Sequence, residues 1–485
     1  MADGPGVVEQ LYFVIRVWKE KNGMRKCILL LCVSLLLTAC SADEPDYNVP
    51  PAANMGTELK AVDTVLVMES YDGEEAKTEE TLETYSSKDG LCVIEKKPSY
   101  YEVWLYHARG EPYAVGRAYA ETILEAGRDY ATVLEPYLYE NIDSAFPNLD
   151  GEYIPVVDRI NLLKGQIPEA YLQELEGFAE GLSGGIKGME CDGRLSYEEV
   201  LLASMVPDCL RGTNCSALSV WGEKSVSGER IVSRTMDWPM GSVNQMCTAQ
   251  AVTHYVMGEG KNSYTSVSVL GMLDVLTGIN EKGVFAAMLD AGSGNDYVCE
   301  GKKCYSFALR YALENMNDAR SLGEYMVAES KNFTFSHNII VTDPLDCFVA
   351  EDCADESEFS TGQSLLRDKD TQLMDGISWD QPDSLCVVNA FQSEGADDYL
   401  TVNGDNYIRF CKYNTWVGEK ERLSVADVKS IVTRESTQRY SGYHDIYSYL
   451  TYHIIILDYA TGEMDIAFTG PEGVVDHPAF TKVSY

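Results

Sequence analysis

The sequence predicts an α+β chain, a sandwich of sheets and helices preceded by a mostly helical segment. Three observations point there. Apolar residues recur at three and four from Pro112 to about Tyr139, and again from Ile167 to Leu182, as in helices with one buried face. After Cys215 the texture changes to short alternating or β-branched runs, at Ser216–Trp221, Ile231–Met236, Ala249–Met257 and Tyr264–Val269. Two helical patterns, Tyr305–Asn315 and Ala319–Glu329, then interrupt the strands before they resume. Strands, a helix pair and more strands suit stacked layers around one core.

The chain has 485 residues, 45% of them hydrophobic, enough for a large core or two domains. Its formal net charge is −38. Phosphate binding needs a basic face, so nucleic-acid partners are excluded. Fourteen cysteines are present, without a C-x-x-C pair or an H-E-x-x-H run, so no metal is expected. Cys299 with Cys304, and Cys347 with Cys353, are candidate disulfide pairs or else buried thiols.

Residues 1–23 are an upstream extension of uncertain role. Residues 24–40 begin Met24-Arg25-Lys26, run through the apolar stretch Ile28–Leu37 and end Leu37-Thr38-Ala39-Cys40, the form of a secretory signal. They also resemble a bacterial lipoprotein signal, with Met24 as the start and Cys40 lipidated. The apolar run is too short to span a bilayer comfortably. This predicts an exported protein, anchored by lipid on Cys40 to the periplasmic or outer face of a bacterial membrane. Residues 41–98 read as a tether and acidic linker with short strands, among them Thr64–Met68 and Leu91–Ile94. Within it, Glu69–Asp89 reads as a solvated loop. Residues 99–214 form the helical segment, where Ser196-Tyr197-Glu198-Glu199 is a capping box. Residues 215–485 form the strand-rich domain. It includes a turn at Asn280-Glu281-Lys282-Gly283, strands at Val284–Leu289, Asn338–Val341, Cys347–Ala350 and Leu385–Asn389, and helices near Tyr407–Trp416 and Ser424–Val432. A hairpin, Tyr452–Asp458 and Met464–Thr469, closes it.

The chemistry centres on Asn214-Cys215-Ser216 and on Arg234-Thr235-Met236-Asp237-Trp238 one strand later. Hairpin geometry brings Arg234 and Asp237 beside Cys215. A thiol with an ordinary pKa of about 8.5 is mostly protonated at neutral pH and must be activated to attack a carbonyl. Making Cys215 the first residue of a chain supplies its own α-amine as base. That requires a cut between Asn214 and Cys215, which the thiol can begin by attacking the preceding carbonyl. Arg234 favours the thiolate and Asp237 can hold the new ammonium group. The bland alternatives are a buried strand cysteine and an ion pair at a strand end. Cys247-Thr248 is a similar pair with no R-x-x-D partner downstream, and reads as structural.

These residues resemble the processing site of the N-terminal-nucleophile (Ntn) hydrolases of the choloylglycine hydrolase, acid ceramidase and penicillin acyltransferase group. There a Cys-Thr/Ser pair opens the mature chain and an R-N-x-D-like motif follows; this sequence has Thr235 in place of the asparagine. Gly110-Glu111-Pro112-Tyr113-Ala114-Val115-Gly116 and the later E-L-E-G-F-A-E-G run resemble the helical pro-segment of the acyltransferase branch. By resemblance, Asn389 in Val387-Val388-Asn389-Ala390-Phe391 is an oxyanion donor. The backbone N–H at Asp290, where the group has asparagine, is the second. Arg409 in Tyr407-Ile408-Arg409-Phe410 is the arginine behind the nucleophile. Without the resemblance, Asn389 reads as a loop asparagine and Arg409 as a charge on a helix surface. The resemblance implies an αββα Ntn sandwich over roughly Ser99 to the C-terminus, hydrolysis of a linear amide bond in a small N-acyl compound, and no cofactor. Acyl transfer to an amine, a Cys-His protease using one of six histidines, and a non-catalytic surface lipoprotein that binds acyl ligands are the alternatives.

Overall fold

The computed structural model describes residues 75–127, 130–146, 153–210, 215–291, 298–354, 362–396, 404–434 and 445–485. The expected lipid-bearing Cys40, the strand Thr64–Met68 and the cleavage residue Asn214 lie outside them. In chain order the strands of the first part are β1 (Lys77–Thr78), β2 (Glu83–Ser86), β3 (Cys92–Lys96) and β4 (Tyr101–Leu105). The helices α1 (Pro112–Glu125), α2 (Tyr130–Ala145), α3 (Ile154–Lys164), α4 (Glu169–Ser183), α5 (Tyr197–Ala203) and α6 (Val206–Leu210) follow. Then come β5 (Cys215–Val220), β6 (Ile231–Asp237), β7 (Gln250–Tyr255), β8 (Tyr264–Val269), β9 (Thr277–Asn280) and β10 (Phe285–Asp290), with α7 (Tyr305–Asn315) and α8 (Ala319–Glu329) after them. The chain ends with β11 (His337–Thr342), β12 (Cys347–Asp352), β13 (Leu365–Arg367), β14 (Ser384–Val387), α9 (Gly404–Gly418), α10 (Val425–Thr433), β15 (Thr451–Asp458), β16 (Glu463–Phe468) and β17 (Thr481–Val483).

Two sheets stack. One has the order β1-β17-β16-β15-β6-β5-β14 and the other β13-β12-β11-β10-β9-β8-β7-β4-β3-β2. The pairs are antiparallel except β1 with β17 and β4 with β7. Alternation sorts the first sheet's side chains. Ala217, Val232, Ile455 and Leu457 join the core between the sheets. Leu218, Val220, Ile231 and Ile456 pack instead under α9 and α10, with Tyr413, Trp416, Ile431 and Val432. Helices α7 and α8 cover the second sheet. The layers are helix, sheet, sheet, helix, and the α+β sandwich is as the pattern predicts.

The N-terminal helices crowd one side. Helices α1 and α4 cross closely because both carry glycine at the contact. A Cβ on Gly116 would lie 1.9 Å from the Glu174 carbonyl oxygen, and one on Gly177 1.9 Å from that of Tyr113. This gives the two glycine-bearing motifs of the helical segment a packing reason. The Ser196–Glu199 capping box is formed, the Glu199 N–H donating to Ser196 Oγ at 3.2 Å and the Ser196 N–H to Glu199 Oε2 at 2.7 Å.

Four expectations need correction. The helical pattern Pro112–Tyr139 is two helices, parted near Gly127, which sits at φ 67°. Part of the acidic Glu69–Asp89 stretch is the edge strand β2, paired with β3. Neither candidate disulfide exists: Cys299 and Cys304 are both thiols, and Cys347 opens β12 while Cys353 follows its last residue, about 20 Å away at strand rise. The strand before Asn389 stops at Val387, placing Asn389 in a loop. Helix α6 and the short strand β9 have too few residues to stand out as periodic patterns, and α3 buries only the narrow stripe Val156, Ile160 and Leu163.

Candidate active site

Cys215 is the first residue of β5 and is buried, with its neighbours fixed by strand register. It lies opposite Met236, and Ala217 opposite Arg234, so the Arg234 side chain reaches diagonally across the hairpin to the sulfur. Arg234 Nη2 donates to Cys215 Sγ at 3.5 Å and to the Met288 carbonyl at 3.1 Å. Its Nε and Nη1 make no hydrogen bond to the protein, which leaves buried donors beside the thiol. The thiol itself faces the Asp237 carbonyl at 3.9 Å.

The backbone of Cys215 is gripped from the other side. Its N–H donates to Asn389 Oδ1 at 2.6 Å, and its carbonyl accepts from Arg409 Nη1 at 2.7 Å. Arg409 Nη2 donates to Asn389 Oδ1 at 2.9 Å and to Asn406 Oδ1 at 2.7 Å, while its Nε pairs with Asp405 at 3.0 Å. Arg409 is therefore not a helix-surface charge. It is fully buried, because α9 lies on the sheet with this face inward. Asn389 Nδ2 donates to the Asp290 carbonyl, so the two expected oxyanion residues sit together although 99 positions apart. The Asn389 loop is clasped by Asn338, whose Nδ2 donates to the carbonyls on either side, Val388 at 2.9 Å and Ala390 at 3.0 Å.

Electrostatics follow from burial. Burial pushes the Cys215 thiol above its ordinary pKa, Arg234 pulls it back in part and Asp237 adds to the rise. The thiol in the joined chain is thus protonated and needs a base. Burial lifts Asp237 to about 7, against the pull of Arg409, a hydrogen bond from Thr451 Oγ1 at 2.8 Å and the pull of Arg234.

The hairpin, loop and helix thus bring together Cys215, Arg234, Asp237, Asn389, Arg409 and Asp290. Sequence reasoning missed Asn406, Asp405, Asn338 and Thr451. The first two carried a readable signal, standing three and four residues before Arg409 on one helix. The Cys-His alternative finds no support. Among the described residues, Cys215 contacts Arg234, Asp237, Asn389 and Arg409, none a histidine. His453 shares its cross-strand row, but Met236 stands between, about two strand spacings or ~10 Å away. Cys247 is buried, 3.1 Å from Met240 Sδ, as a packing residue. No cluster of side chains able to hold a metal occurs among the described residues.

Cys215 opens onto a narrow cleft. Its walls are mostly apolar: Met236, Trp238, Leu276, Met288, Leu289 and Pro207, with Tyr305 and the polar Arg234 and Asp290. The Trp238 indole N–H donates to the Tyr137 hydroxyl of α2, so the N-terminal helices help to shape the cleft.

No family profile matches the sequence, and no curated protein matches it. Solved structures resemble it in part. A Caenorhabditis elegans N-acylethanolamine-hydrolyzing acid amidase ortholog is 15% identical, over 50% of this chain and 92% of its own, with a TM-score of 0.36. A variant of conjugated bile acid hydrolase from Clostridium perfringens is 12% identical over 56% and 97%, with a TM-score of 0.32. Penicillin V acylase from Agrobacterium tumefaciens is 13% identical over 52% and 83%, with a TM-score of 0.28. At such identity and superposition the relation is one of partial shape.

Proposed function

We propose that this chain is an N-terminal-nucleophile hydrolase of linear amide C–N bonds in small N-acyl compounds, activated by a cut between Asn214 and Cys215. The observation that carries the reading is the double grip on the Cys215 backbone. The nitrogen that a cut would free already meets Asn389 Oδ1 at 2.6 Å, while the carbonyl is held by a buried guanidinium and the sulfur by a second one. A strand cysteine with only a packing role needs none of these.

In the joined chain the thiol attacks the Asn214 carbonyl, and the acyl group moves from nitrogen to sulfur. That shift frees the Cys215 amine, and water then hydrolyses the thioester, releasing the Asn214 carboxylate and the Cys215 thiol. In turnover that amine takes the thiol proton while sulfur adds to the substrate carbonyl. The oxyanion is received by Asn389 Nδ2 and the backbone N–H at Asp290. The adduct collapses to a thioester, and the ammonium gives its proton to the departing amine. A water, deprotonated by the same amine, releases the acid and restores the thiol. Arg234 stabilises the sulfur as charge develops on it. Once the chain is cut, the Cys215 amine serves each proton transfer of turnover.

The test is a denaturing gel and N-terminal sequencing of purified protein. Two fragments are expected, the second beginning at Cys215, and a single chain for Cys215→Ala. A wild-type chain that stays whole and does not react with iodoacetamide leaves the acyl-binding lipoprotein as the better reading. Adding a nucleophilic amine to the processed protein separates transfer, which yields a new amide, from hydrolysis, which yields free acid. We further propose the lipid anchor on Cys40; radiolabelled palmitate should enter the wild-type protein and not Cys40→Ser.

A further inference from the structure

Helix α6 is the last described element before the cut, and it does not lie loosely. Asp208 is wholly buried, and its carboxylate accepts from the Tyr305 N–H at 2.7 Å and from Ser306 Oγ at 2.6 Å. Those groups form the first turn of α7, whose N-cap position, Cys304, offers no side-chain acceptor. Asp208 therefore satisfies an orphan donor of another helix, at the end where its dipole favours negative charge. Tyr305 returns the contact, its hydroxyl donating to the Pro207 carbonyl at 2.8 Å. On the far side Arg159 Nη1 of α3 donates to the Cys209 carbonyl at 2.7 Å. Three successive residues are thus tied down, and Pro207 and Tyr305 both line the Cys215 cleft.

We propose that α6 stays in place after the cut as a fixed wall of the substrate cleft, and that Asp208, as a positioning residue, thereby limits the length of the acyl group. This rests on the amide-hydrolase reading for its substrate class, a neutral, apolar acyl chain, which the cleft's Met, Leu, Trp and Pro walls accept. The cleft is narrow, so the position of one wall matters. None of the ties depends on the peptide bond before Cys215. Cutting that bond leaves them intact.

Two measurements test this. In uncut Cys215→Ala protein, saturated fatty acids of graded length are titrated, with tryptophan fluorescence as readout. In processed wild-type protein, kcat/KM is measured for fluorogenic N-acyl amides of the same lengths. Both profiles should rise by about fourfold per methylene and then break at one shared length. Asp208→Ala should move the break to longer chains in both, with a gain of roughly 15-fold for two further methylenes accommodated. Tyr305→Phe, which removes only the hydroxyl, should move it the same way by less and covers the case in which Asp208→Ala does not fold. A processed enzyme that accepts chains the uncut protein rejects would show that the wall withdraws, and a break unmoved in folded variants would show that it sets no limit. Either overturns the proposal. If the binding break moves while no amide is hydrolysed, the wall stands and the amidase reading fails.

Discussion

Asp237 offers the sharpest quantitative test of the site. Its carboxyl is buried at the end of β6, and burial raises it from 3.8 to about 7 despite Arg409, Thr451 and Arg234. Between these values the folded chain holds a proton that the unfolded chain has released. Stability from this group is therefore complete below about pH 4 and is lost as pH rises through 7. At about 1.4 kcal/mol per tenfold in proton affinity, the loss is about 4 kcal/mol. The comparison uses Cys215→Ala protein, which stays uncut, with and without Asp237→Asn. Denaturant unfolding from pH 4 to 8 should show stability falling with pH by about that amount more in the Asp237 protein than in the Asn variant. Parallel curves would mean that Asp237 is ionised in the folded chain throughout, and the burial argument would be wrong. In the processed protein the new ammonium group should draw the carboxyl down, so the slope between pH 4 and 7 should shrink.

Asn389→Leu removes a proposed oxyanion donor and should lower kcat by about 10²–10³ with KM little changed, measured on the processed enzyme; a change confined to KM would reassign Asn389 to substrate binding. Glu174 of α4 pairs with Arg310 of α7 at 2.6 Å, both buried, across the two proposed fragments. Glu174→Gln should cost roughly 1–3 kcal/mol, read by denaturant unfolding, because it removes one of the two carboxylates on a buried guanidinium that keeps Glu314 at 3.3 Å. The same pair and the β4–β7 ladder lead us to expect that processed fragments co-elute on size exclusion until denaturant is added.

Much of the fold was legible because burial leaves a periodic trace. Tyr264–Val269, Tyr305–Asn315 and Ala319–Glu329 have the bounds their patterns indicate. The misses share a cause. β2 is a polar edge strand with no buried face to write an alternation, and its pairing with β3 comes from backbone hydrogen bonds alone. α6 has five residues, fewer than two turns, and is defined by Asp208 and Pro207 meeting α7.

The site divides in the same way. Cys215, Arg234 and Asp237 could be placed together from the amino-acid order, because a hairpin's register follows from its two strands and the turn between them. Asn389, Asp290 and Arg409 could be named only by resemblance, since nothing local ties a loop residue, a strand end and a helix to a cysteine up to 194 positions away. That meeting was decided by the stacking of two sheets and by α9 lying inward on one of them. Burial then set the protonation of Cys215 and Asp237, because the cost of a charge depends on what surrounds it and not on its neighbours in the chain.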